Sequence, residues 1–322
     1  MNSYRQTAPL TVSLISLLML VVVVIQTIFF YLDLSANLGN LGLSDLGIYQ
    51  IQFNNMIKFG AVTHNTDFGF YYLMYFFTQW LNFELFVTAC FFLFYASLIK
   101  TFYSLCDVKW LVFIVFLLLF FYPMYQSLSS LVLRQGLGFA FLFVSAFFFR
   151  SHLFVLSAAK VALASLFHLS MLFYVPVLLI NRFISSLKLL VLFWCITVVL
   201  YVCNIPLAFV NFLPADLAGA VRAFSMVEDN YVTGFKPLFL ILSVVPFLFL
   251  LLRPYYYYVC KNQMMFEMLK IFFVANSAGL LFSGFPYYDR VMLFSWVLVP
   301  LVMMNFVSFL FPRQTLPAEV YR

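Results

Sequence analysis

The chain has 322 residues, of which 66% are apolar, 21% aromatic and only 9% charged. No water-soluble domain of this length can hide so much apolar surface in one core, so a globular cytosolic enzyme is excluded and a polytopic helical membrane protein is indicated. The formal charge of +6 does not point to nucleic acid, because the basic residues fall singly between apolar runs and fit cytoplasmic loops better than one basic face.

Leu10 to Leu32 is long enough to span and has no Ala-x-Ala-like cleavage site after it, so it reads as a retained helix with the mature chain starting near Met1. Arg5 ahead of it places the N-terminus in the cytoplasm and residues 33 to 67 outside. Within that loop Ser44 can cap a short helix. Leu46, Tyr49, Phe53, Met56 and Ile57 recur on one face of it, with Gln50, Asn54 and Lys58 off that face. Such a helix is expected along the outer membrane surface. Residues 68 to 81 are apolar but too short to cross, which suggests a re-entrant or interfacial helix, and Asn82 and Glu84 mark its end. Phe83 to about Tyr103 reads as a full span, the Lys100 to Lys109 region as cytoplasmic, and Trp110 to Gln126 as a return outward.

The next run, Leu131 to Phe149, carries Arg134 near its outer end, with Gly136 and Gly138 thinning one face so that another backbone or a substrate can approach. Leu153 to Asn181 would extend roughly 43 Å as one helix against a hydrocarbon thickness of about 30 Å. Arg150 and Arg182 at its two ends favour two short helices that turn near His168 and Ser170. A single tilted helix kinked at Pro176 is the alternative, and it would reverse the sidedness of all that follows. Leu187 to Cys203, Pro237 to Leu252, Met265 to Ser283 and Val291 to Leu310 complete a topology of about ten crossings with both termini inside. Nothing marks a separate soluble domain, so residues 1 to 322 are expected to form a single integral membrane domain with external loops at about 33–82 and 204–236. Cys90, Cys106, Cys195, Cys203 and Cys260 are scattered without metal or CxxC spacing and read as packing residues.

A guanidinium inside lipid-soluble sequence is expensive unless it meets a partner or water, which makes Arg134 the first functional candidate. Arg222 and Arg290 also fall outside, and several arginine forks around one outward cavity suit a diphosphate. The bland alternative is an arginine–carboxylate pair, Arg290 with Asp289 or Arg134 with Glu84. His168 has no acidic neighbour in sequence and no GxSxG nearby, so acid–base work is its sharper role and a buried histidine bonded to a carbonyl at a helix break its duller one. His64 and His152 read as solvated loop residues. Asp67 is by default the N-cap of the helix that follows, with a catalytic carboxylate as the alternative; Asp45 and Tyr49 have weaker claims. Without a GxxxxGK[ST] or GxGxxG motif, or an Asp-x-Asp pair in the external loops, no nucleotide, metal or other cofactor is expected.

Leu133-Arg134-Gln135, followed by Ala164-Ser165-Leu166-Phe167-His168-Leu169-Ser170, resembles the "RQ … FHxS" signature of the EpsG/Wzy-like polysaccharide polymerases. Asp67-Phe68-Gly69-Phe70 is similar to that family's acidic-x-Gly-aromatic step, where Glu is usual, and Tyr287-Tyr288-Asp289-Arg290 resembles its late arginine turn. The likeness covers most of residues 40 to 310. It implies an all-helical bundle like the metal-independent GT-C membrane glycosyltransferases, set in the bacterial inner membrane. Such an enzyme transfers a growing glycan from undecaprenyl diphosphate to the non-reducing end of a lipid-linked repeat unit at the periplasmic face, building O-antigen, capsule or exopolysaccharide. On this resemblance the partners are the lipid-linked donor and acceptor, the bilayer and a chain-length regulator protein. His168 would be the acid or base with Asp67 in reserve, Arg134 and Arg290 the diphosphate ligands, Arg222 and Tyr231 the sugar ligands, and Gln135 and Tyr71 further substrate contacts. A flippase for the same lipid or a membrane O-acyltransferase are the rival readings; a flippase usually carries internal repeats, which are not found here.

Overall fold

Backbone amides within long apolar sequence find hydrogen-bond partners only by coiling on themselves, and among the described residues the chain is built of helices and turns. The computed structural model describes residues 8–310 except 38, 40–43, 63–65, 106–108, 144–153, 211, 213–232, 286 and 287. It divides into two compact units, residues 1–148 with 155–173 and residues 149–154 with 174–322.

The first unit contains α1 (Ala8–Asn37), α2 (Asp45–Phe59), α3 (Phe68–Thr78), α4 (Phe83–Leu105), α5 (Lys109–Leu119), α6 (Pro123–Ser130), α7 (Leu133–Phe143) and α8 (Phe154–Ser165), then a 3-10 turn over Leu169–Phe173. The second contains α9 (Tyr174–Phe183), α10 (Leu187–Val202), α11 (Ile205–Val210), α12 (Pro237–Leu250), α13 (Arg253–Lys261), α14 (Gln263–Leu281), α15 (Tyr288–Trp296) and α16 (Val299–Leu310). Among the described residues four helical stretches are long and apolar enough to cross a membrane: Leu14–Asn37, Phe83–Tyr103, Gln263–Gly284 and Tyr288–Leu310. Two bent pairs, Val112–Leu119 with Pro123–Ser130 and Pro237–Leu250 with Arg253–Lys261, raise the number to six if each is one broken span. Among the described residues this membrane protein is thus all-helical, with four to six candidate spans. The further crossings expected from the apolar runs fall partly on Phe154–Ser165, Leu169–Phe183 and Leu187–Val202, which are short.

Proline explains one departure. Trp110 to Gln126, expected as a continuous return, bends by 67° because Pro123 has no N–H for the preceding turn and starts α6 instead; Gln126 Nε2 donates to the freed carbonyl of Phe120 at 2.7 Å. The loop helix forms as its sequence demands. Ser44 Oγ accepts from Gly47 N at 3.2 Å, and Gly60 closes the other end in the left-handed conformation at φ 63°. Leu46, Tyr49, Phe53 and Met56 are buried, but Ile57 is 57% exposed, since one step past Met56 turns a side chain about 100° off the face. That buried face packs against Phe70, Tyr71 and Met74 of α3 and Phe83, Phe86 and Cys90 of α4. α2 is therefore anchored to the first unit through an aromatic cluster, with the Tyr49 and Phe70 rings 5.2 Å apart.

Gly136 and Gly138 serve close packing on α7. A Cβ on Gly136 would lie 1.8 Å from the carbonyl oxygen of Leu128 on α6, and one on Gly138 would meet the side chain of Met171 at 2.9 Å. Backbone cannot yield as a thioether can, so Gly136→Ala is expected to cost at least about 1–3 kcal/mol and Gly138→Ala less. Thermal melting of the two purified variants checks this, and equal melting temperatures would contradict it.

The second unit buries polar groups within a run that is apolar on average. Glu267 and Lys270 lie 3.4 Å apart on α14; Lys270 also donates to the Asn181 carbonyl at 2.7 Å, and Asn181 Nδ2 to Glu267 at 2.8 Å. The pair thereby satisfies an orphan carbonyl in the last turn of α9. Higher on α14, Asn276 accepts from Trp194 Nε1 and donates to Ser243 and Ser295. The Asn276 cluster has its polar groups matched, as burial requires, whereas in the Glu267–Lys270 cluster Asn181 Oδ1 has no hydrogen-bond partner among the described residues.

Candidate functional site

Asp67 precedes α3 with left-handed backbone angles, φ 53° and ψ 43°, a region in which Asp is one of the few side chains tolerated. The expected capping role is not what its carboxylate performs. Only the backbone oxygen serves α3, accepting from Phe70 N at 3.0 Å and Tyr71 N at 3.2 Å, while the side chain makes no bond to the helix start. The left-handed turn instead aims the carboxylate at the end of α8. There Asp67 Oδ1 accepts from Leu169 N at 2.8 Å, and Oδ2 meets Arg134 Nη1 at 2.8 Å and His168 Nδ1 at 3.2 Å.

Gly69 allows this junction to close. Its N–H donates to the Leu166 carbonyl at 2.7 Å, and a Cβ there would fall 3.0 Å from that oxygen. α8 stops at Ser165 near the turn expected from the length of the run, because Leu169 N takes Asp67 as acceptor in place of a helical carbonyl. Pro176 is not the break; it sits in the first turn of α9, where proline is tolerated.

Arg134, in the first turn of α7, is held on three sides. Nε donates to the Tyr49 hydroxyl at 3.1 Å and Nη1 to the Tyr71 hydroxyl at 3.4 Å as well as to Asp67, with the guanidinium carbon 5.5 Å from the Tyr49 ring centre and 6.0 Å from that of Tyr71. Its carboxylate partner is Asp67, not Glu84. The Gln52 amide, one turn along α2 from Tyr49, is hydrogen-bonded to the Tyr71 hydroxyl; nothing in the sequence reading singled it out.

Exposure grades the three charged groups. The Asp67 side chain is 5% exposed, that of His168 16% and that of Arg134 26%, so an incoming molecule reaches the guanidinium and imidazole before the carboxylate. Burial alone would raise the Asp67 pKa. The hydrogen bonds from His168 and Leu169 and the charges of His168 and Arg134 outweigh it and hold the carboxyl below its ordinary value, so Asp67 is ionised at neutral and mildly acidic pH. Facing a carboxylate, Nδ1 of His168 is the protonated nitrogen and Nε2 is left for outside chemistry. A fixed guanidinium beside an oriented imidazole can stabilise developing negative charge and move one proton.

The first unit thus brings together Asp67, Arg134, His168 and Tyr71. Gln135, next in the chain to Arg134, is fully buried. Arg290 belongs to the second unit, in the first turn of α15, and is half-buried beside Asp289. Arg222 and Tyr231, with His64 and His152, lie outside the described residues.

Fold and site together define a polytopic helical membrane protein in which a buried carboxylate orients an arginine and a histidine at one surface. The chain belongs to the EpsG family: the sequence model of that family matches residues 15–315, which takes in both units and every residue of the cluster. No curated protein and no solved structure shows a significant match. Membership indicates a membrane protein of the polysaccharide-polymerase type.

Proposed function

We propose that the protein is a polysaccharide polymerase that transfers a growing glycan from undecaprenyl diphosphate to a hydroxyl of a lipid-linked repeat unit at the periplasmic face of a bacterial inner membrane. The single observation that carries this reading is the Asp67–Arg134–His168 cluster in a chain of the EpsG family. In the reaction, the acceptor hydroxyl attacks the anomeric carbon, the bond from that carbon to the diphosphate oxygen breaks, and the diphosphate leaves with its negative charge. His168 Nε2 takes the hydroxyl proton. Asp67 stabilises the resulting imidazolium through Nδ1 and stays ionised, a role of orientation in place of the reserve base. Arg134 offsets the charge gathering on the leaving diphosphate. Arg290 is assigned a second phosphate contact, and Arg222 and Tyr231 contacts to sugar, on residue chemistry alone. A single domain over residues 1–322 with about ten crossings and a GT-C-like arrangement fits a site fed from the lipid phase.

Surface-glycan gel ladders of a deletion strain test the reading. A polymerase defect leaves lipid carrying a single repeat. Loss of all surface repeats would instead indicate a flippase, and full-length chains lacking only acetyl groups an acyltransferase.

A further inference from the structure

We propose that Tyr49 is a positioning residue for Arg134, taking up its Nε so that the guanidinium offers the departing diphosphate only its Nη2 end. Arginine has five N–H donors in one plane and can grip a phosphate side-on through Nε and Nη2 or end-on through Nη1 and Nη2. Here Tyr49 occupies Nε at 3.1 Å, while Nη1 donates to Asp67 at 2.8 Å and to Tyr71 at 3.4 Å. Among the described residues no hydrogen bond is made by Nη2. Both two-point grips are therefore closed, and the contact is single-ended, with its direction set by what holds the rest of the plane.

Tyr49 is the stiffest part of that hold. It is 2% exposed, its ring packs on Phe70, and it sits on the buried face of α2 between Leu46 and Phe53. The shorter bond to Tyr49 makes it the stronger of the two phenol contacts. α2 thereby acquires a role beyond surface attachment: it carries the phenol that sets the angle of an arginine on α7. The ligand rests on the polymerase reading, but the hold on Nε does not.

The test uses the full-length protein in phosphatidylethanolamine–phosphatidylglycerol nanodiscs, with undecaprenyl diphosphate as the probe. Tyr49→Phe keeps the ring and its packing and removes only the acceptor. It is expected to weaken binding about tenfold, and to broaden or lose the protected Nε–H resonance of Arg134, assigned by its absence in Arg134→Lys. Unchanged affinity overturns the inference. So does weakened affinity with the Nε–H still protected, which would mark a packing effect, and so does a wild-type protein that fails to bind the probe. Wild type that binds, responds to Tyr49→Phe and builds no polymer from lipid-linked repeats would refute the polymerase reading and leave the positioning role standing.

Discussion

Arg134→Ala is expected to leave the protein in the membrane but to stop chain extension, so that gels show lipid carrying one repeat in place of a ladder. The arginine contributes in two ways. As a fixed positive group at the leaving diphosphate it is worth roughly 10²–10³ in rate, by analogy with the loss of one preorganised donor. As the partner of Asp67 it offsets the desolvation of a carboxylate that is nearly inaccessible. Removing one member of a fully buried pair costs about 3–5 kcal/mol, but with the Arg134 side chain 26% exposed the loss falls toward about 1–3 kcal/mol. His168 and Leu169 N continue to hold the carboxylate, so the variant should fold. Arg134→Lys keeps the charge but loses the planar fork and the Tyr49 bond, and intermediate chain lengths are expected. Membrane immunoblots beside the glycan gel separate activity from abundance. A normal ladder from Arg134→Ala at normal abundance would end the site assignment.

Substitution of His168 should slow the chemistry at least as much. Loss of a general base lowers rates by about 10²–10⁴, and both His168→Ala and His168→Gln should show it. Glutamine is the informative partner because its amide can still donate to Asp67 Oδ2 yet cannot carry a proton from the acceptor. Full polymerisation by the glutamine variant alone would reduce His168 to a hydrogen-bond donor, and full polymerisation by both would remove proton transfer from this position. In vitro extension of lipid-linked repeats, with rates per mole of folded protein, distinguishes these outcomes.

Some of this was legible along the chain. The three- and four-residue spacing on α2 and the Ser44 cap are short-range facts, and both appear as expected apart from Ile57. The span from Phe83 and the turn near His168 follow equally from run length and charge placement, and Arg134 and His168 stand out because charge is costly among apolar neighbours. What escaped was pairing. Asp67 looked like a helix cap because a carboxylate before Phe68-Gly69-Phe70 has that local option, and nothing adjacent reveals a left-handed backbone that turns it away. Glu84 was as plausible a partner for Arg134 on sequence grounds. Glu267 and Lys270 were absorbed into an apolar average although their three-residue spacing was visible.

By itself, then, the sequence determined a helical membrane protein, the starts of several helices, and which ionisable groups sit where lipid would penalise them. Those properties depend on a few neighbouring residues and on the average cost of transfer from water. Only the tertiary structure decided that Asp67 meets Arg134 and His168, 67 and 101 positions away, and that Tyr49 and Tyr71 fix the arginine's plane. The reason is physical: hydrogen-bond partners across a fold are chosen by which helices close-pack, and that choice rests on details such as the missing side chain of Gly69 and of Gly136, which no local periodicity carries.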